Sequence, residues 1–141
     1  MVEFRFHGRY GQPVGKITRT LAKELMVEGK HVQVFDSFGA FRPDAPTYSV
    51  LRVSAQDIVE RSVNETFPDV VIVLDNSLFE VTDVTKGMRT DGILLAYGVD
   101  SDVLGEQAAT VKFIKLDPFI RKEAPLEREL LQAFKQINLI P

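Results

Sequence analysis

The sequence predicts an α/β fold: a single three-layer α/β/α sandwich whose mostly parallel sheet is opened by a βαβ unit. Three observations predict it. Apolar, β-prone runs alternate with stretches of helical periodicity along the chain. Residues 1–35 read strand, glycine-punctuated turn, amphipathic helix, strand. Val70-Val71-Ile72-Val73-Leu74 is almost wholly apolar, as suits a parallel strand buried on both faces.

In order, Val2 to Phe6 is the first strand and His7 to Gln12 the turn. The helix runs from Pro13 to about Glu28. Val14, Ile17, Thr18, Leu21, Ala22 and Leu25 recur at three- and four-residue spacing and form one apolar stripe. Pro13 suits the first helical turn and Gly29 the position just past the last one. His31 to Phe35 is the second strand, parallel to the first through a right-handed crossover. Asp36 to Thr47 is a loop, broken by Gly39, Pro43, Asp44 and Pro46, with Phe35, Phe38 and Phe41 in and beside it. A strand over Tyr48 to Val53 and a short helix over Asp57 to Glu65 follow. After the 70–74 strand, Asp75-Asn76-Ser77 opens a turn that Asn76 or Ser77 can cap. Ile93 to Tyr97 is another buried strand, Ser101 to Ala109 a helix, and Val111 to Leu116 the last strand. In a terminal helix from Pro125, Leu126, Glu129, Leu130, Ala133, Phe134 and Ile137 share one side.

The chain has 141 residues, 45% of them hydrophobic and 26% charged, which matches one soluble domain over residues 1–141. A net charge of −3 favours neither nucleic acid nor an anionic membrane as partner. Without cysteine the chain forms no disulfide, thiolate metal site or iron–sulfur site. No apolar run approaches the roughly 20 residues of a membrane-spanning helix, and the N-terminus lacks the pattern of a signal peptide. A soluble, cytoplasmic protein is expected.

The loop between first strand and first helix is where α/β folds place ligands. Here it reads Gly8-x-x-Gly11-x-x-x-Gly15. A dinucleotide loop needs glycine where Tyr10 stands. A P-loop needs one there too, with Ser or Thr where Ile17 follows Gly15-Lys16. Neither motif is complete, and tight strand-to-helix packing accounts for Gly8 and Gly11. His7, at the strand end, suits a backbone carbonyl as well as a substrate. His7 and His31 make no metal site, and no nucleophile pairs with His7, so no catalytic or metal-ligating residue is assigned. Asp36, Asp75 and Asn76 belong near the same crevice. Arg9 and Arg42 suit a carboxylate or phosphate, on a ligand or on a partner protein. Residue spacing leaves that choice open.

Phe6-His7-Gly8-Arg9-Tyr10-Gly11-Gln12 resembles the F-H-G-R-G-G-Q-G opening of gamma subunits (or gamma domains) of the pyruvate/2-oxoacid:ferredoxin oxidoreductase family. Gly29-Lys30-His31-Val32-Gln33 resembles its G-K-x-V-Q. Ser37 to Pro46, with Gly39 and Arg42, resembles its Y/F-G-A-E-x-R-G-G-P loop, and Arg52-Val53-Ser54 its R-I-S. Pro68-Asp69 before Val70 to Asp75, and Asp91-Gly92-Ile93-Leu94, continue the likeness in register over about residues 2–98. Tyr10 and Pro13 depart from two loop glycines, Phe41 from the acidic residue and Pro43-Asp44 from Gly-Gly. Family gamma chains also usually run longer, with a further helical segment before the last helix.

The resemblance implies an accessory subunit of a complex that oxidatively decarboxylates a 2-oxoacid to acyl-CoA and reduces ferredoxin. It places thiamine diphosphate, magnesium and iron–sulfur clusters on alpha, beta and delta partners, with coenzyme A as co-substrate and no cofactor held by this chain alone. Gly8, Arg9, Gly11, Gln12, Gly39 and Arg42 are then candidates for a subunit interface or the edge of the coenzyme A or thiamine site. The phenylalanines of the 35–41 stretch and the apolar side of the terminal helix become candidate docking surfaces. The competing reading is a free-standing domain binding a small molecule or nucleotide in the crevice around His7, Arg9 and Asp75.

Overall fold

A computed structural model describes residues 1–37, 44–58, 66–116 and 126–141, apart from the side chains of 107–109 and 126. Six strands, β1 (Val2–Arg9), β2 (His31–Asp36), β3 (Pro46–Ser54), β4 (Val70–Val73), β5 (Ile93–Ala96) and β6 (Lys112–Lys115), form one sheet in the order β2-β3-β1-β4-β5-β6. β1, β4, β5 and β6 pair in parallel. β3 is antiparallel to both β1 and β2, so it alone opposes the common direction. The expected βαβ opening is present with β3 inserted: β2 runs parallel to β1, one strand removed.

Helices α1 (Val14–Val27) and α2 (Leu126–Gln136) pack on one face. The predicted stripe of α1, Val14 to Leu25, is buried in full. Its large apolar side chains each contribute about 2 kcal/mol by leaving water. From β1, Phe4 and Phe6 reach this face and meet the Phe134 ring of α2 at 5.0 and 6.1 Å. Leu130, Ala133 and Phe134 are buried there, so the apolar side of the terminal helix belongs to the core and is not a docking surface.

The opposite face is covered by 3₁₀ segments, Asn76–Glu80 and Ser101–Ala109. The latter is expected as a helix but breaks at Gly105, whose φ of 57° and ψ of −127° no helix accommodates. Leu78, Val84 and Leu104 pack there on Val71, Val73, Leu94 and Ala96. The predicted helix over 57–65 falls largely on residues 59–65, outside the described residues; Asp57 and Ile58 are not helical.

β1 turns a second, polar side to that face. Glu3, Arg5 and His7 are all buried. Glu3 Oε1 accepts from Arg52 Nε at 2.7 Å, and Glu3 Oε2 from the Phe67 amide at 2.7 Å. Arg5 Nη2 donates to the Val84 carbonyl at 2.9 Å. Each charge taken from water has gained a partner, the condition under which a sheet interior tolerates charge.

Candidate functional site

β1 continues three residues beyond the predicted strand end because β3 supplies partners as far as Arg9, opposite Pro46. The turn is therefore Tyr10 to Pro13, and Arg9 stands at the strand's carboxyl end. The Tyr10 amide donates to the Ala45 carbonyl at 2.7 Å and the Asp44 amide to the Tyr10 carbonyl at 3.1 Å, which stitches the turn to the start of β3. Gly11 has φ of 104°, a conformation that glycine adopts without strain. Gly8 serves a different need: a Cβ there would lie 2.4 Å from Val14 Cγ2. Close strand-to-helix packing requires the glycine.

Three stretches of chain, 9–12, 44 and 75–77, meet at one cluster. Gln12 Oε1 accepts from the Arg9 amide at 2.8 Å, and Gln12 Nε2 donates to Asp75 Oδ2 at 3.0 Å. The Arg9 guanidinium donates through Nε and Nη2 to Ser77 Oγ at 3.1 and 2.9 Å, and through Nη1 to the Asp44 carbonyl at 2.8 Å. Its Nε stands 3.5 Å from Asp75 Oδ2. Asp75 Oδ1 accepts from the Ser77 amide at 3.0 Å and its hydroxyl at 2.6 Å. Asp75, rather than Asn76 or Ser77, thus caps the 3₁₀ segment. The Ser77 hydroxyl bond, with help from the Ser77 amide, Gln12 and Arg9, lowers the Asp75 pKa. Arg9 and Gln12 are held by the protein itself, in a network of charge-assisted bonds.

The other candidates divide. Asn76 Nδ2 donates to the Tyr97 carbonyl at 3.4 Å, which ties the end of β5 to the crevice. Asp36 lies beyond the start of α1, accepting from Ser49 Oγ at 2.7 Å and Arg19 Nη1 at 3.2 Å. Phe35 is half-buried with the Arg52 guanidinium 4.7 Å over its ring. Gly39, Arg42, Phe38 and Phe41 lie outside the described residues. His7 is buried, its Nε2 accepts from Arg5 Nε at 2.8 Å, and burial together with the Arg5 charge pushes its pKa down to about 3. A neutral, engaged imidazole of this kind is a structural group.

Sequence reasoning found Arg9, Gln12 and Asp75 but not the roles of Ser77 and the Asp44 carbonyl. Asp-x-Ser after an apolar strand signals an Asx turn, and that signal locates Ser77. No sequence signal reports the carbonyl. Among the described residues no group of three or more His, Cys, Asp or Glu is placed to hold a metal ion, and no helix is long and apolar enough to cross a membrane.

Residues 3–136 match the family described as pyruvate ferredoxin/flavodoxin oxidoreductase. The chain is 44% identical over 96 residues to the pyruvate/ketoisovalerate oxidoreductases common subunit gamma of Pyrococcus abyssi, covering 67% of this chain and 51% of that one. It is 40% identical over 95 residues to pyruvate synthase subunit PorC of Methanothermobacter marburgensis, covering 67% and 53%. The chain thus spans about half the length of these relatives. The crystal structure of pyruvate oxidoreductase subunit PORC from Thermotoga maritima superposes with a TM-score of 0.72 at 27% identity, over 99% of this chain and 78% of that one.

Proposed function

Because this chain belongs to the pyruvate ferredoxin/flavodoxin oxidoreductase family, we propose that it is the gamma subunit of a 2-oxoacid:ferredoxin oxidoreductase complex, with residues 1–141 as one gamma-type domain. In this reading the cytoplasmic complex oxidatively decarboxylates a 2-oxoacid, delivers the acyl group to coenzyme A and passes the electrons to ferredoxin. Thiamine diphosphate, magnesium and iron–sulfur clusters belong to the alpha, beta and delta partners. A chain without cysteine has no thiolate to offer a cluster, which fits that division of labour.

The observation that carries the reading is the cluster at the carboxyl end of the sheet, where the family-like turn meets Asp44, Asp75 and Ser77. Gly8 lets β1 lie close to α1, Gly11 supplies the positive φ of the turn, and Arg9 and Gln12 are locked from both sides. This chain's contribution is a preformed wall. Gly8, Arg9, Gly11 and Gln12, with Gly39 and Arg42 of the following loop, border the coenzyme A or thiamine site or the subunit interface. A wall with fixed donors loses little side-chain entropy when a partner docks.

Anaerobic purification of the tagged chain from its own host, followed by native mass and an optical spectrum, tests the reading. The expected product is a brown assembly with larger subunits, thiamine diphosphate and iron. A colourless species that contains only this 15.9 kDa chain overturns it and favours the free-standing binding domain.

A further inference from the structure

β2 forms one edge of the sheet. The Ser37 amide donates to the Tyr48 carbonyl at 2.9 Å, which sets the alternation of the β2–β3 ladder: His31, Gln33 and Phe35 point their backbone groups at β3. The N–H and C=O groups of Val32, Val34 and Asp36 therefore point outward, and no partner for them is present among the described residues. The other edge, β6, exposes Lys112 and Lys115, a common guard against strand addition. β2 contains neither lysine nor proline. Beside it opens a groove of ≈ 600 Å³ lined by residues that include Met26, which is 60% exposed.

We propose that β2 pairs antiparallel with β2 of a second copy of this chain, about a two-fold axis passing between the two Gln33 residues. Antiparallel pairing requires outward-pointing residues to face one another, which leaves few registers. In this one, Val32 of each copy faces Val34 of the other and exchanges two backbone hydrogen bonds with it. Gln33 faces Gln33, and His31 faces Phe35. Lys30 of each copy stands opposite Asp36 of the other, so opposite charges close both ends of the pairing. Side-chain parity agrees. Val32 and Val34 pack with the α1 face, and Asp36 reaches that same face, 3.2 Å from Arg19 of α1. The two sheets join into one continuous sheet with the α1 helices on the same side. The strand is self-complementary in hydrogen bonding, apolar contact and charge together, and that is the requirement of an isologous interface.

Sedimentation of the 141-residue chain across a concentration series tests the proposal, with Val34→Pro and Lys30→Glu as variants. The Val34 N–H is not used in the β2–β3 ladder, so proline there breaks no ladder hydrogen bond while it removes the outward donor, together with the packing of the Val34 side chain. Lys30→Glu sets like charges opposite Asp36. The expected result is a species of twice 15.9 kDa for the parent chain and a shift of at least tenfold toward monomer for both variants, with unchanged circular dichroism. If Val34→Pro fails to fold, Lys30→Glu and hydrogen exchange decide. The amides of Val32, Val34 and Asp36 should be protected at high concentration and released on dilution. A 15.9 kDa monomer at every concentration overturns the proposal, and so does a dimer that both folded variants leave intact.

Discussion

Arg9 and Ser77, separated by 68 residues, share one hydroxyl: the guanidinium donates to Ser77 Oγ through both Nε and Nη2, at 3.1 and 2.9 Å. The same hydroxyl gives its proton to Asp75 at 2.6 Å. Ser77 thus relays between cation and carboxylate, and the crevice wall depends on a residue with no charge of its own. Ser77→Ala should cost about 1 kcal/mol, the usual net worth of such a bond at a partly exposed site. Arg9→Ala should cost a similar amount. Urea denaturation of both singles and the double variant should show the double less destabilised than the sum, because the variants remove the same link. Strict additivity would show that Arg9 and Ser77 act separately.

Gly8→Ala should destabilise by about 1–3 kcal/mol through the clash of its Cβ with Val14 Cγ2, as overpacking in a core does. Val14→Ala removes the clashing atom. Chemical denaturation should therefore find Gly8→Ala/Val14→Ala less destabilised than the two single variants summed. A Gly8→Ala protein as stable as the parent would mean that α1 slides to make room without cost.

The elements that were legible in the sequence share one property: a period that a single local structure explains. The α1 stripe and the apolar β4 run are of that kind. Insertion of β3 between β1 and β2 was not legible, because β3 carries no mark of which strand it will separate. The charged side of β1 was hidden for another reason. Glu3, Arg5 and His7 alternate with Phe4 and Phe6 as in a strand with one wet face, yet they are buried, since Arg52, Phe67 and Val84 supply partners from distant segments. At the site, Arg9 and Asp75 were visible as charges at strand ends. Their mutual satisfaction was not, because it depends on the Asp44 carbonyl and the Ser77 hydroxyl arriving from separate segments.

His7 makes stability pH-dependent. Its folded pKa, about 3, lies below the 6.5 of an unperturbed histidine. Between these values the unfolded chain binds a proton that the folded chain refuses, so stability rises with pH and falls as the medium is acidified below 6.5. The slope approaches about 1.4 kcal/mol per pH unit within the window. Asp75, with its lowered pKa, acts in the same sense at lower pH, below its ordinary 3.8. Urea midpoints measured from pH 7 to pH 4 should fall steadily for the parent chain and much less for His7→Gln. Parallel curves for the two proteins would place the acid sensitivity elsewhere.

The buried pair Glu3–Arg52 provides the most severe test. Arg52 is fully buried, donates to Glu3 at 2.7 Å and to Gln33 Oε1 at 2.8 Å, and lies over the Phe35 ring, so it bolts β1, β2 and β3 together on one face of the sheet. Removing one partner strands the other charge in a medium that solvates it poorly. Glu3→Leu and Arg52→Met should each cost about 3–5 kcal/mol. The double variant removes both charges and keeps apolar volume, so it should be more stable than either single one. Thermal unfolding of the three variants separates the possibilities. A double variant that loses the sum of the single losses would mean that Glu3 and Arg52 act separately, each through its other partners; recovery above both singles would identify the cost as that of an orphaned charge. Recovery is the expected outcome, because attraction between two buried charges does little more than offset the solvation each has lost.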